Sequence, residues 1–167
     1  MIPRRATPID AKYIRALFDY DPEKGALIWR YKRRSKREGK PAGSTNKRGY
    51  VFVIIDARYY YAHRLIWVWH HGDTLLQIDH INGVKDDNRI ENLRLATNSQ
   101  NNMNLGAKRS NKSSGVKNVT WHAQANKWFV QVAKDGVVVY RGWFTELADA
   151  EEAAKEARRK YHGEFAY

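Results

Sequence analysis

The chain has 167 residues, a formal charge of +12 and no cysteine. That length allows one domain or two small ones, and the missing thiols exclude disulfides and a Cys-ligated zinc site. A sequence pI of about 9.9 points to a polyanionic partner; no apolar run approaches the ~18 residues of a bilayer span, and the basic N-terminus lacks the apolar centre of a secretory signal.

Pro8 to Phe18 is predicted as a short helix, with Ile9, Tyr13, Ile14, Leu17 and Phe18 apolar. Asp21-Pro22-Glu23-Lys24-Gly25 has the composition of a turn, and Ala26 to Tyr31 reads as a strand. A basic stretch follows: Arg30, Lys32, Arg33, Arg34, Lys36, Arg37, Lys40, Lys47 and Arg48 stand against only Glu38. Gly39, Gly43 and Gly49 mark it as a loop. Tyr50 to Ile55 and Tyr59 to Ala62 form a predicted hairpin around Asp56-Ala57-Arg58, from their aromatic and β-branched content. His63 to His71 reads as a helix that buries Leu65, Ile66, Trp67 and Trp69 and stops at Gly72.

An apolar run, Leu75 to Ile78, then delivers Asp79-His80 into a polar, turn-rich loop in which Asn82-Gly83 and Asp86-Asp87-Asn88 are turn formers. Leu93-Arg94-Leu95 reads as a second short strand, and an Asn-rich helix is predicted to begin at Thr97. A base and two oxygen ligands can therefore converge on one strand-loop-strand-helix unit. Phosphodiester hydrolysis needs that set: a group to deprotonate water, and a divalent cation to hold the phosphate and the leaving oxygen.

Gly106 to Gly115 is small, polar and basic, and residues 106–113 are predicted as a linker. Val116 to Trp121, Lys127 to Ala133 and Val137 to Phe144 read as three strands, with Asn126 and Asp135-Gly136 in the turns. Glu146 to Tyr161 reads as a helix with Leu147, Ala150, Ala154, Ala157 and Tyr161 on one face. Its acids lead and Arg158, Arg159 and Lys160 trail, which suits the helix dipole, and Gly163 ends it.

Asp79-His80, Asn92-Leu93, Arg94-Leu95-Ala96-Thr97 and Asn101-Asn102, with His63-Arg64-Leu65 upstream, resemble the HNH (ββα-metal) nucleases, in particular the small HNH endonucleases of phages and mobile introns. The resemblance implies an α+β fold in which residues 1–105 hold a β-rich DNA-contacting region and the nuclease core, with the motif at about 63–104. It implies a homing-type, metal-dependent DNA endonuclease that leaves 5′-phosphate and 3′-hydroxyl ends. His80 takes the role of general base, suited by an imidazole pKa of about 6.5. Asp79 and Asn101 take the role of cation ligands, and Asn92 completes the catalytic set by tying the loop through backbone hydrogen bonds. Many family members carry His where this chain has Asn101. An amide oxygen is a harder ligand than imidazole, which favours Mg²⁺, with Mn²⁺ as the alternative, over zinc; no structural zinc is expected. Asn98, Asn102 and Asn104 stay open as the second ligand, and His63 either lies near the site or caps its helix.

Gly115-Val116, Val119, Lys127-Trp128, Gly142 with Phe144, the alanine-rich Ala148 to Ala157 helix and Gly163-Glu164 resemble the DNA-binding domain of plant ethylene-response factors (the APETALA-two type). That resemblance implies a sheet-plus-helix module over 114–167 whose sheet lies in the major groove. Carried over by position, it puts Lys117, Thr120, His122, Lys127, Trp128, Gln131 and Tyr140 on the DNA. Thr120, His122 and Ala133 stand where the plant pattern has arginines. Arg30, Lys32, Arg33, Arg34, Lys36, Arg37, Lys47, Arg48 and Arg94 complete the expected DNA-contacting set. The expected partner is double-stranded DNA. A monomer, no obligate protein partner, no membrane and a bacterial cytoplasm go with it. Two alternatives stay open: a sequence-specific DNA binder with a decayed nuclease site, and an RNA-binding protein.

Overall fold

The computed structural model describes residues 10–30, 37–105 and 113–166. They form a mixed architecture of small antiparallel sheets and short helices, divided into two compact units, Met1–Leu95 and Ala96–Tyr167.

In the first unit, α1 (Ala11–Leu17) is capped by the Asp10 side chain, which accepts from Lys12 N at 3.1 Å. The helix ends one residue early. Phe18, expected on its apolar face, instead opens β1 (Phe18–Asp21), which pairs with β2 (Ala26–Trp29) from Phe18↔Trp29 to Asp21↔Ala26. β2 stops at Trp29, and Tyr31 lies outside the described residues. The turn between them is set by Gly25, at φ +58, where a Cβ would sit 2.3 Å from the Arg89 backbone nitrogen. No other residue lets this turn close against the 81–92 loop.

β3 (Ser44–Thr45), absent from the sequence expectation, edges β4 (Val51–Ile55) and β5 (Arg58–Tyr61). The β4–β5 connection is a two-residue turn with Asp56 and Ala57 both at positive φ, which matches the right-handed strand twist. α2 (Ala62–His71) follows and stops at Gly72, φ 86. Ile14, Phe18, Leu27, Val53, Ile55, Leu65 and Ile66 form the fully buried centre of the unit. Trp67 and Trp69 only edge that core, and Trp69 Nε1 donates to Phe18 O at 3.2 Å. β6 (Gln77–His80) pairs with β7 (Leu93–Ala96). The run expected from Leu75 begins later: Leu75 and Leu76 are exposed, and Asp79 and His80 belong to the strand itself.

In the second unit, α3 (Asn98–Asn104) begins with a capping box between Thr97 and Gln100. Ala96 and Met103 bury together with Phe165, which assigns α3 to this unit by packing. The division thus falls at the end of β7, ahead of the linker expected at 106–113, of which 106–112 lie outside the described residues. β8 (Val119–His122), β9 (Lys127–Lys134) and β10 (Val137–Phe144) form a sheet in the order β10-β9-β8. β8 starts later than the expected Val116 because Asn118 turns the chain at φ 69. Ala150, Ala154 and Ala157 of α4 (Leu147–His162) pack on the face carrying Val119, Val130 and Val132.

The β9–β10 register carries one irregularity with large consequences. Val138 pairs with Ala133, but Tyr140 pairs with Val132, so Val139 is an inserted residue. Each side chain after it moves to the face opposite that of an unbroken strand. Tyr140 and Phe144 turn toward α4, and Arg141 and Trp143 turn away. Gly142 permits this. A Cβ there would lie 2.7 Å from the Phe144 ring and 3.0 Å from the Tyr140 hydroxyl. Among the described residues no helix is long and apolar enough to cross a membrane.

Candidate active site

β6 ends on two buried polar residues, Asp79 at 6% and His80 at 5% exposure. His80 Nε2 lies 2.9 Å from Oδ1 of Asn88, which is itself 2% exposed. The Asn88 amide has its orientation set from the other end, because its Nδ2 donates to Asp86 O at 3.2 Å. Oδ1 therefore faces the ring, and His80 Nε2 must supply the hydrogen. In the neutral imidazole the lone pair then stands on Nδ1, the nitrogen that can take a proton. Asn88 reads in the sequence as a turn former, and nothing in Asp86-Asp87-Asn88 separates a turn asparagine from one buried against a histidine.

The loop after β6 is held by Asn92. Its Oδ1 accepts from Asn82 N at 3.0 Å, and its Nδ2 donates to Asp87 O at 2.7 Å and Asn82 Oδ1 at 3.0 Å. Its backbone carbonyl accepts from Ile81 N at 2.9 Å. One amide thereby fixes the residues on both sides of the loop that carries Asn88. Asp87 grips Arg89 through two bonds of 2.8 Å, and that guanidinium holds its carboxyl well below the usual carboxylate range.

Asp79 faces Arg94 across the β6–β7 pair. Arg94 Nε and Nη2 both donate to Asp79 Oδ2 at 3.0 Å. Both side chains are nearly excluded from water, 7% and 11% exposed. Arg94 was expected on the DNA; the structure instead places it inside, as the counter-charge of Asp79. Asn101 is on α3, half-buried, and its backbone N–H donates to Thr97 O at 2.9 Å. Asn98 and Asn102 are exposed and Asn104 is buried. Among the described residues no three His, Cys, Asp or Glu side chains gather as a metal cluster.

Three aromatic rings gather at the base. His63 lies edge-on to His80 at 5.0 Å between centroids and stacks on Tyr61 at 5.3 Å. Tyr50 completes the group at 5.7 Å from His63 and 6.1 Å from His80. Of the two readings of His63, the structure takes the one near the site. Burial, then the neighbouring His80 and Arg64 charges, push its pKa down to about 3. The folded ring stays neutral where the unfolded one protonates near pH 6.5. Its contribution to stability is therefore complete above that pH and is lost as pH falls toward 3, by ~1.4 kcal/mol per pH unit at most. Between pH 7 and pH 5, urea unfolding should show the wild type losing about 2 kcal/mol more than His63→Phe. Equal losses would remove the assignment.

The basic stretch divides. Lys32, Arg33, Arg34 and Lys36 lie outside the described residues. Arg30 is anchored, donating to Arg15 O at 3.0 Å and pairing with Asp19 at 3.4 Å. Arg37, Lys47 and Arg48 are exposed. The Lys47-Arg48 turn is built by Asn46, whose Oδ1 accepts from Arg48 N and Tyr50 N. Lys85 joins this turn to the ring cluster: its Nζ donates to Arg48 O at 3.3 Å and lies over the Tyr50 ring at 5.0 Å.

On the C-terminal sheet, Thr120, His122, Lys127 and Gln131 lie on the face away from α4. Trp128 and Tyr140 do not. Trp128 pairs with Phe144 and packs against the helix side, and the Val139 insertion turns Tyr140 there too. Lys117 is half-buried and donates to Met103 O at 2.5 Å; burial and Arg158 lower it to about 8. The open face gains residues missing from the sequence expectation, namely Phe129, Arg141 and Trp143.

A model of the HNH endonuclease family matches residues 60–103. Protein 3.8 of Escherichia phage T7 is 32% identical over 89 residues, which make up 53% of this chain and 72% of that protein. A solved structure described as "DNA binding and cleavage by the HNH homing endonuclease I-HmuI" aligns over 95% of each chain at 21% identity, with a TM-score of 0.43.

Proposed function

We propose, for a chain that belongs to the same family as protein 3.8 of phage T7 and carries an HNH endonuclease domain, the metal-dependent hydrolysis of phosphodiester bonds in double-stranded DNA. The observation that carries this reading is the buried His80 ring, held by Asn88 in the tautomer that leaves a proton-accepting Nδ1, one residue from a buried carboxylate.

By the family resemblance, Asp79 and Asn101 hold the divalent cation, and their oxygens favour Mg²⁺. A bound cation offsets the charge that gathers on the phosphate during in-line displacement. His80 Nδ1 takes the proton of the attacking water. Asn88 keeps the ring from turning, and Asn92 keeps Asn88 in place by closing the loop. Arg94 fixes the rotamer of Asp79 through Oδ2. His63 lies 5.0 Å from His80, and burial keeps it neutral, so it adds no positive charge beside the base. Lys47, Arg48 and Lys85 give the surface near the rings a positive field for the DNA backbone. The likeness of the C-terminal module to the ethylene-response-factor domain supports a second DNA contact through its open sheet face. A phage enzyme of this kind acts in the host cytoplasm. As a monomer with one site, it cuts one strand per encounter.

The test is incubation of the full chain with supercoiled plasmid and phage genomic DNA in Mg²⁺, Mn²⁺ or EDTA. The expected result is metal-dependent nicking or linearisation that EDTA stops. Tight, salt-sensitive duplex binding with no cleavage in either metal would make the protein a DNA binder with a decayed site.

A further inference from the structure

We propose that the open face of the β8–β9–β10 sheet is a stacking platform for unpaired DNA. The inference takes the identity of the polymer from the nuclease reading and the mode of binding from the surface itself. Phe129 and Trp143 are direct cross-strand partners with ring centroids 4.5 Å apart. The indole reaches over the central strand to His122 on β8, 5.2 Å away and edge-on. Three rings from three strands thus make one continuous patch, and half of Trp143 stays exposed.

That exposure depends on the fold. Without the Val139 insertion, Trp143 would pair with Trp128 on the helix side, where its area would be buried. The insertion instead carries it, with Arg141, to the face away from α4. Lys127 and Arg141 flank the rings, and no Asp or Glu shares their face along the paired strands. The acids of α4 pack with their helix on the other side. The surface therefore combines exposed aromatic rings with positive charge, which is what a polyanion with accessible base faces fits.

Duplex DNA does not offer those faces. Its bases are stacked on one another, and a sheet docked in the major groove reads base edges with forked polar side chains. Exposed rings on a sheet gain energy from a base only when the base is unstacked. Beside the patch runs a groove of about 640 Å³ lined by Ser99, Asn102, Thr120, Phe129 and Gln131, with the single carboxylate of Asp135 at the β9–β10 turn. That volume falls in the range that takes a small ligand such as a nucleotide. Because every base has a π-face, the platform tolerates sequence and favours a strand whose bases are unpaired.

Binding of the full chain to a short mixed-sequence single strand, and to the same sequence as a blunt duplex, is measured by fluorescence anisotropy in EDTA at one salt concentration. Trp143→Ala is expected to weaken the single strand about tenfold or more and the duplex far less, while Trp143→Phe keeps most of the affinity. Circular dichroism of both variants checks the fold. Equal losses on the two substrates, or an unchanged single-strand affinity in Trp143→Ala, overturn the proposal. With EDTA present no cleavage is required. A chain that fails the plasmid assay but shows this preference loses only the nuclease reading; one that cuts plasmid but shows no preference loses only the platform.

Discussion

His80→Ala should lower cleavage by about 10²–10⁴-fold, the usual contribution of a positioned general base, with duplex binding nearly unchanged. The ring is buried and edge-on to His63, so its removal takes away a proton acceptor and no charge that faces solvent. Asn88 separates this role from simple packing. Asn88→Asp keeps an acceptor toward Nε2 and should keep much of the activity. Asn88→Leu keeps the bulk but strands a buried N–H, which costs about 1–3 kcal/mol, and releases the tautomer. Its cleavage rate should fall on the order of tenfold or more. Single-turnover cleavage beside a mobility-shift assay reads both. A loss of binding in His80→Ala as large as its loss of rate would end the catalytic assignment.

Those residues differ in how legible they are in the sequence. Asp79, His80, Asn92 and Asn101 stand out through their resemblance to the HNH motif, and Thr97 with Gln100 marks the start of the helix that carries Asn101. Asn88 does not, because a turn asparagine and a buried one look alike until the loop closes. His63 is ambiguous for a related reason: the strand before its helix and the strand of the base must meet in space before the two rings touch. The C-terminal hairpin shows the limit most clearly. Val137-Val138-Val139-Tyr140 is apolar throughout, so alternation cannot reveal which valine is the insertion. One unseen residue exchanges Tyr140 for Trp143 on the open face. β3 has two residues, too short for any periodicity, and Phe18 satisfies both the helical stripe and the strand that claims it. Propensity sets where chain segments turn and stop; it does not set which face a bulged strand presents.

Arg94→Met carries the largest expected effect on stability. Both side chains of the Asp79–Arg94 pair are almost fully buried, and both contacts converge on Oδ2 at 3.0 Å. Removing the guanidinium strips the carboxylate of its counter-charge in a poorly solvated place, a change that typically costs about 3–5 kcal/mol. The same change should make the protein depend on metal. A cation that binds only the folded state stabilises it by ~2.7 kcal/mol at a hundredfold excess over Kd. In wild type, Arg94 already offsets part of the Asp79 charge, which weakens the pull on a cation. In Arg94→Met the full charge of the carboxylate attracts it. Adding Mg²⁺ should therefore raise Tm more in Arg94→Met than in wild type, and the shift should vanish in both backgrounds once Asp79→Asn is introduced. The four chains form a double-mutant cycle whose coupling term isolates the pair. Equal Mg²⁺-induced shifts in wild type and Arg94→Met would show that Arg94 and the cation do not act on the same carboxylate, and a shift that survives Asp79→Asn would move the cation away from Asp79 altogether.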